Sequence, residues 1–225
     1  MRGTHVSATP VIDLQQVSVR GPRGPVFGPL TARSDSPVTV VLGPRGSGRT
    51  SLLLCIAGRM KPGEGSLAVL GETAPSAIRR RTGIAGFEAV DALEPAVTLG
   101  ATLRERLAWA LPWYRRTPRM TPQLSRELLA EAFGHLEQPG PDTAVHDLGP
   151  ADEMLVRIAL ALIEQPDMLV IDDFDALRDP AERATVAGRL EALARRGIPI
   201  ALATTDPGDI GLLAGAAGEP AVIEL

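Results

Sequence analysis

The chain of 225 residues has a single cysteine, Cys55, which rules out an internal disulfide and any zinc site built on cysteines. A lone thiol is compatible with a reducing compartment. Lysine is nearly as scarce: Lys61 is the only one among 23 basic residues, so an arginine where a lysine is usual carries less meaning by itself here. Long apolar runs are also missing, and none approaches the roughly 20 residues needed to cross a bilayer. The opening MRGTHVSATP lacks the apolar centre of a signal peptide, so a soluble, cytoplasmic chain is expected. No strong field is present either, because the net charge is −4 and both signs are interspersed. Nothing in that balance favours nucleic acid. His5, His135 and His146 stand far apart without ligand spacing, and no repeat of 20–50 residues occurs.

What is present is enough apolar content, 44%, for one substantial core in one domain. Short β-rich runs at residues 11–19, 38–42, 66–70, 168–171, 198–204 and 221–225 alternate with helical stretches, which predicts an α/β fold. The runs ahead of Gly43 and Asp172 are almost continuously apolar, as strands covered on both faces of a parallel sheet must be. Between residues 99 and 162 the pattern turns helical, with LRERLAWAL, SRELLAEAFGHL and EMLVRIALALI separated by proline-bearing stretches. Residues 181–196 form a further amphipathic helix that Gly197 closes.

The segment VVLGPRGSGRTSLL puts a buried strand before a glycine-rich turn and a helix after it. That context belongs to a phosphate-binding loop of the form G-x4-G-K-[ST], here Gly43, Pro44, Arg45, Gly46, Ser47, Gly48, Arg49, Thr50 and Ser51. The glycines let the backbone wrap an anion, while the helix start directs N–H groups and a positive dipole end at it. Thr50 supplies a hydroxyl suited to Mg²⁺. Arg49 occupies the lysine position, keeping the charge but widening the head group.

From this loop onward the chain resembles the ATP-binding cassette family. LLLCIAGRMKPGEGSLAVLGE is similar to the helix, loop and strand that follow the loop in that family, and ATLRERL to the start of its helical subdomain. MLVIDDFDALRD resembles its Walker B and D-loop stretch, and IALATTDP its switch strand. The resemblance implies a P-loop NTPase fold with a mixed, mainly parallel sheet and a helical subdomain at about residues 99–162. It implies ATP and Mg²⁺ as ligands, with Thr50 and Asp172 on the metal, Asp173 as the base for water, and Thr205 at the switch position. It also implies a separate transmembrane subunit, a homo- or heterodimer of nucleotide-binding domains, and a peripheral place at the inner face of the membrane.

Several family elements are altered. Asp173 replaces a glutamate and is shorter by one methylene, about 1.5 Å of reach. Thr205 replaces a histidine and offers a hydroxyl only. Leu148, Gly149, Pro150, Ala151 and Asp152 stand where LSGGQ is usual, and they read better as an ordinary helix start than as a phosphate site. Glu88 is one place from the expected glutamine, where a surface-loop acid is as good a reading. Phe27 or Arg20 could stack on a base, or serve packing and the surface. Trp109, Trp113 and Tyr114, followed by Arg115 and Arg116, suit either a docking surface or the packing of a helix end. The resulting expectation is a transporter subunit that binds Mg-ATP and hydrolyses it slowly. The alternative is a non-hydrolysing regulatory or scaffold module docked on a membrane protein. A soluble cassette protein acting on ribosomes or DNA fits a single short acidic domain poorly.

Overall fold

The computed structural model describes residues 10–225; His5 and the start of the chain lie outside the described residues. Two sheets organise the molecule. The larger is parallel, in the order β5-β6-β7-β3-β8, from β3 (Val38–Leu42), β5 (Thr82–Ala85), β6 (Met168–Ile171), β7 (Ile200–Thr204) and β8 (Ala221–Glu224). The smaller is antiparallel, in the order β2-β1-β4, from β1 (Ile12–Gly21), β2 (Gly24–Ser34) and β4 (Glu64–Val69).

Alternation along the parallel strands divides the core in two. One set of side chains, Val41, Val170, Ala201, Ala203 and Ile223, packs with Leu52, Leu53 and Ile56 of helix α1 (Arg49–Ile56) and with Ile12, Leu14 and Leu67 of the antiparallel sheet. The opposite set, Val38, Val40, Leu169, Ile171, Ile200 and Leu202, meets α6 (Pro150–Leu162) and α7 (Pro180–Arg195). Both faces of the sheet are therefore dry, as the unbroken apolar runs predict. Helices α2 (Pro75–Arg81) and α3 (Glu88–Asp91) flank β5. α4 (Leu99–Ala110) and α5 (Pro122–Phe133) add Leu99, Leu103, Leu129 and Phe133 to the α6 side. α8 (Gly208–Leu213) closes against α7 and buries Leu213.

All six strand runs read from the sequence are found, with ends moved by a few residues. β2 and β5 were not anticipated. β2 carries two prolines and two glycines, and β5 has four residues, one of them glycine. Both draw their order from their neighbours, since β2 pairs with β1 along its length and β5 pairs with β6.

Candidate functional site

Parallel register brings the carboxyl ends of four strands to one edge. Leu42 lies beside Thr204, Leu202 beside Ile171, and Ile171 beside Ala85. Gly43, Thr205, Asp172 and Gly86 therefore leave the sheet together, where open α/β sheets place their ligands.

The loop at residues 43–51 is shaped for an anion. Ser47 N–H donates to Pro44 O at 3.2 Å, which closes a tight turn, and Gly46 (φ 83°) and Gly48 (φ 95°) are left-handed. At Gly48 a side chain is doubly excluded, because its Cβ would lie 2.9 Å from Val26 O and 3.0 Å from Phe27 Cβ. α1 begins at Arg49 with no side-chain cap and no acid in its first turn, so its leading N–H groups stay free for a ligand. The Ser47 hydroxyl is buried without a hydrogen-bond partner, an orphaned donor inside the same cradle. Such a loop fits phosphate by chemistry as well as by spacing.

Beside it opens a cleft of about 450 Å³, lined by Arg49, Thr50, Gly86, Glu88, Asp172 and Asp173 among others. Thr50 and Asp172 thus share one cavity, and a hydroxyl plus a carboxylate suits Mg²⁺, which keeps most of its waters and takes further oxygens from phosphates. Asp172 is buried at the end of β6, and its N–H donates to Ala85 O at 2.9 Å. Asp173 is left-handed at φ 55° and exposed, with its carboxyl raised above the usual range. Withdrawal from water is the main cause, followed by the charges of Asp175, Asp172 and Glu88, with Arg45 opposing. The shift makes Asp173 a somewhat stronger base than an ordinary aspartate, though no longer in reach. Glu88, whose role was open in the sequence, lines this cleft, whereas Phe27 is buried in the core against Gly48 and is a packing residue.

Asp175 is the residue that sequence reasoning missed. It sits in a single 3-10 turn after β6, with its side chain only 6% exposed. Arg49 Nη1 approaches its Oδ1 at 3.5 Å, and the Thr205 hydroxyl donates to its Oδ2 at 3.0 Å. One carboxylate therefore engages both the P-loop cation and the residue at the switch position. Thr205 itself is set by the preceding residue, since buried Thr204 donates its hydroxyl to Asp209, which Arg183 also contacts at 3.1 Å.

The remaining sequence features sort as follows. Asp179, matched to the D-loop, caps α7 by accepting from Ala181 N–H at 2.9 Å. In the segment that replaces LSGGQ, Gly149 is the N-cap of α6, Pro150 is at its first turn, and Asp152 and Glu153 follow where a helix dipole favours acids. The carboxyl of Asp152 is raised by burial first and by Glu137 second, so the turn is poorly suited to a further anion. His146 Nδ1 is within hydrogen-bond distance of Pro95 O, at 2.9 Å. Trp109, Trp113 and Tyr114 are 70%, 96% and 69% exposed, which corrects the packing reading of that cluster. Trp109 also lines a second cleft of about 630 Å³ with Arg59, Val90, Asp91, Glu105 and Arg157.

Comparison with known proteins agrees with this geometry. The chain is 33% identical over 164 residues to the Nod factor export ATP-binding protein I of Bradyrhizobium sp. (strain SNU001), covering 73% of this chain and 52% of that protein. It is 33% identical over 165 residues to the protein of the same name from Rhizobium meliloti (strain 1021), covering 73% and 47%. The chain thus spans about half the length of the curated relatives it matches. Among solved structures, cbiO1 from Clostridium perfringens, part of the ABC transporter complex cbiONQ, superimposes with a TM-score of 0.69 at 20% identity, covering 91% of this chain and 82% of that one. An ATP-binding cassette captured as a dimer in a post-hydrolysis state with ADP and Pi gives 0.72 at 21% identity, covering 95% and 94%. These likenesses give the fold as that of an ABC-type P-loop NTPase. With the family profile described as ABC transporter matching residues 33–176, this chain belongs to the ABC transporter family, within its ATP-binding cassette.

Proposed function

We propose that the chain is the ATP-binding subunit of an ABC-type membrane transporter, and that it binds Mg-ATP but hydrolyses it slowly. The observation that carries this reading is the loop at residues 43–51, an uncapped helix start with two left-handed glycines, opening on the cleft that holds Thr50 and Asp172. Thr50 and Asp172 would hold the magnesium, which when bound would neutralise phosphate charge. The loop N–H groups bind and orient the phosphates, and Asp173, the carboxylate next to Asp172 in the same cleft, accepts a proton from the attacking water.

Slow turnover follows from what faces the reacting phosphate. Arg49 is drawn toward Asp175, Asp173 is short, Thr205 donates to Asp175, and the segment at residues 148–152 forms a plain acidic helix start. Preorganised contacts of this kind are worth about 3–4 kcal/mol apiece in catalysis. α4 to α6, spanning about residues 99–162, serve as the helical subdomain. Its exposed Trp109, Trp113 and Tyr114, beside the second cleft, offer the apolar surface on which a transmembrane subunit docks. No helix among the described residues is long and apolar enough to cross a membrane. A second nucleotide-binding domain, identical or related, completes the assembly at the inner membrane face.

The Arg49 to Asp175 pair also favours a second reading, a non-hydrolysing module that binds nucleotide as a ligand while docked on a membrane protein. Calorimetry with Mg-ATP and phosphate release on one sample decide between them. Binding with slow turnover that Asp172→Asn abolishes supports the transporter subunit, binding without turnover the second reading. Absence of binding overturns both.

A further inference from the structure

The pairing of Asp175 with both Arg49 and Thr205 bears on which nucleotide the site prefers. Resting on the nucleotide-binding reading above, we propose that Asp175 is a specificity-determining residue: it holds Arg49 and erodes the preference for a third phosphate, so that nucleoside triphosphate and diphosphate bind with comparable affinity.

Main-chain N–H groups at the uncapped start of α1 are available to a phosphate seated in the loop, whatever the Arg49 side chain does. β7 lies next to β3 and β6 lies beyond it, so a phosphate that extends past the loop moves toward the ends of β7 and β6. Asp172, Asp173 and Asp175 follow β6 there, Glu88 lines the same cleft, Asp206 after β7 is paired with Arg183, and a magnesium ion on Asp172 would offset only part of this charge. Arg49 is the loop cation that lines the cleft, with Arg45 acting on Asp173 nearby, yet the Arg49 side chain is only 13% exposed and turned to Asp175.

A third phosphate must therefore do without Arg49 or take it from Asp175. In the second case a carboxylate with 6% exposure loses its cation beside a polyanion, and only the Thr205 hydroxyl at 3.0 Å remains to it. Breaking a buried pair while keeping one of its charges is the costly way to break it. The diphosphate, seated mainly on the loop N–H groups, largely escapes this cost.

Calorimetric titration of Mg-ATP and Mg-ADP into the parent chain, Asp175→Asn and Asp175→Glu tests the idea. The parent should bind the two within about threefold of each other, and Asp175→Asn should tighten Mg-ATP by about tenfold while moving Mg-ADP by less than about threefold, the scale of removing one nearby charge. Asp175→Glu, which keeps the charge, should retain the parental ratio. Adding Arg49→Ala to Asp175→Asn should cancel the part of the gain that comes from freeing Arg49, leaving only the relief from the Asp175 charge. Asp175→Thr puts a neutral hydroxyl acceptor next to Thr205 in place of the carboxylate and serves if the asparagine variant does not fold by thermal melting.

A neutral variant that binds Mg-ATP no better than the parent, or that shifts both nucleotides equally, overturns the role of Asp175 and leaves nucleotide binding intact. A parent that binds neither nucleotide while the variant binds Mg-ATP also overturns that role, because the loop N–H groups should hold the diphosphate whatever Asp175 does. If neither protein binds either nucleotide, the nucleotide-binding reading falls along with it.

Discussion

Gly46 and Gly48 are both left-handed, but only Gly48 is crowded by neighbouring backbone, with nothing within 4 Å of a Cβ at Gly46. Gly46→Ala should therefore meet conformational strain alone, about 1–2 kcal/mol. Gly48→Asp adds a clash with Val26 O and a negative charge at the anion site, and calorimetry should find its loss of Mg-ATP affinity clearly the larger. If Thr50 ligates magnesium as proposed, Thr50→Ala removes one of its oxygen donors. Its affinity should fall below the parent's in Mg²⁺ and match it in EDTA, where the metal contributes to neither protein. Equal affinities in both buffers would remove Thr50 from the metal site.

The carboxyl of Asp91 is pushed up to about 6, chiefly by burial, with Arg157 and the N–H groups of Gly86, Phe87 and Asp91 opposing. Gly86 N–H donates to it at 2.8 Å. Because its ordinary value is 3.8, the folded chain holds this proton more tightly than the unfolded chain between about pH 4 and 6. The contribution to stability is thus fully present below that window and lost as pH rises through it. Asp91→Asn should lose this dependence and exceed the parent in stability above pH 6, by up to about 3 kcal/mol. Denaturant titration across that range measures it, and parallel curves would reject it.

The glycine-rich turn between β3 and α1 was legible because its signal is local: glycines, a hydroxyl and a strand-to-helix transition within one short segment. Asp175 was not, because its partners are separated from it by 126 and 30 residues, and no spacing rule links them. The exposure of Trp109, Trp113 and Tyr114 was equally hidden, since aromatic content alone does not say which face a helix end turns to solvent.

Among elements, the buried strands were readable because burial on both faces demands apolar residues throughout, whereas β2 and β5 carry little pattern of their own. The start of α6 was readable as well, since Gly149, Pro150 and Asp152 satisfy helix-start chemistry without help from the fold. How β7 is held was not. Arg183 on α7 donates to Leu177 O at 3.0 Å and reaches Asp206 at 2.8 Å and Asp209 at 3.1 Å, tying α7 and α8 to the strand end that carries Thr204. Asp209 is 1% exposed. Arg183→Met should cost about 3 kcal/mol by leaving that carboxylate without its cation, and Asp209→Asn added to it should recover much of the loss. Thermal denaturation of the two variants checks this. A double variant no more stable than Arg183→Met would place the effect in lost packing instead.

At the scale of the whole molecule, the parallel sheet delivers the loop, the acids of β6 and Thr205 to one edge, and α6 presents the segment at residues 148–152 as an acidic helix start. Turnover depends on all of these at once, so effects at Arg49, Asp173, Thr205 and that segment should not add simply. Asp173→Glu alone is expected to raise phosphate release very little. Arg49→Lys, Asp173→Glu and Thr205→His together should also fall short, because Asp175 stays beside the loop cation and captures a lysine as it does the arginine. Adding Asp175→Thr, with LSGGQ in place of residues 148–152, should bring measurable phosphate release, and Asp172→Asn on that background should abolish it. If the unmodified chain already turns over ATP rapidly, and Asp172→Asn stops it, the divergent residues form a working site of another design, in which Asp175 positions Arg49 for the reaction and does not withhold it.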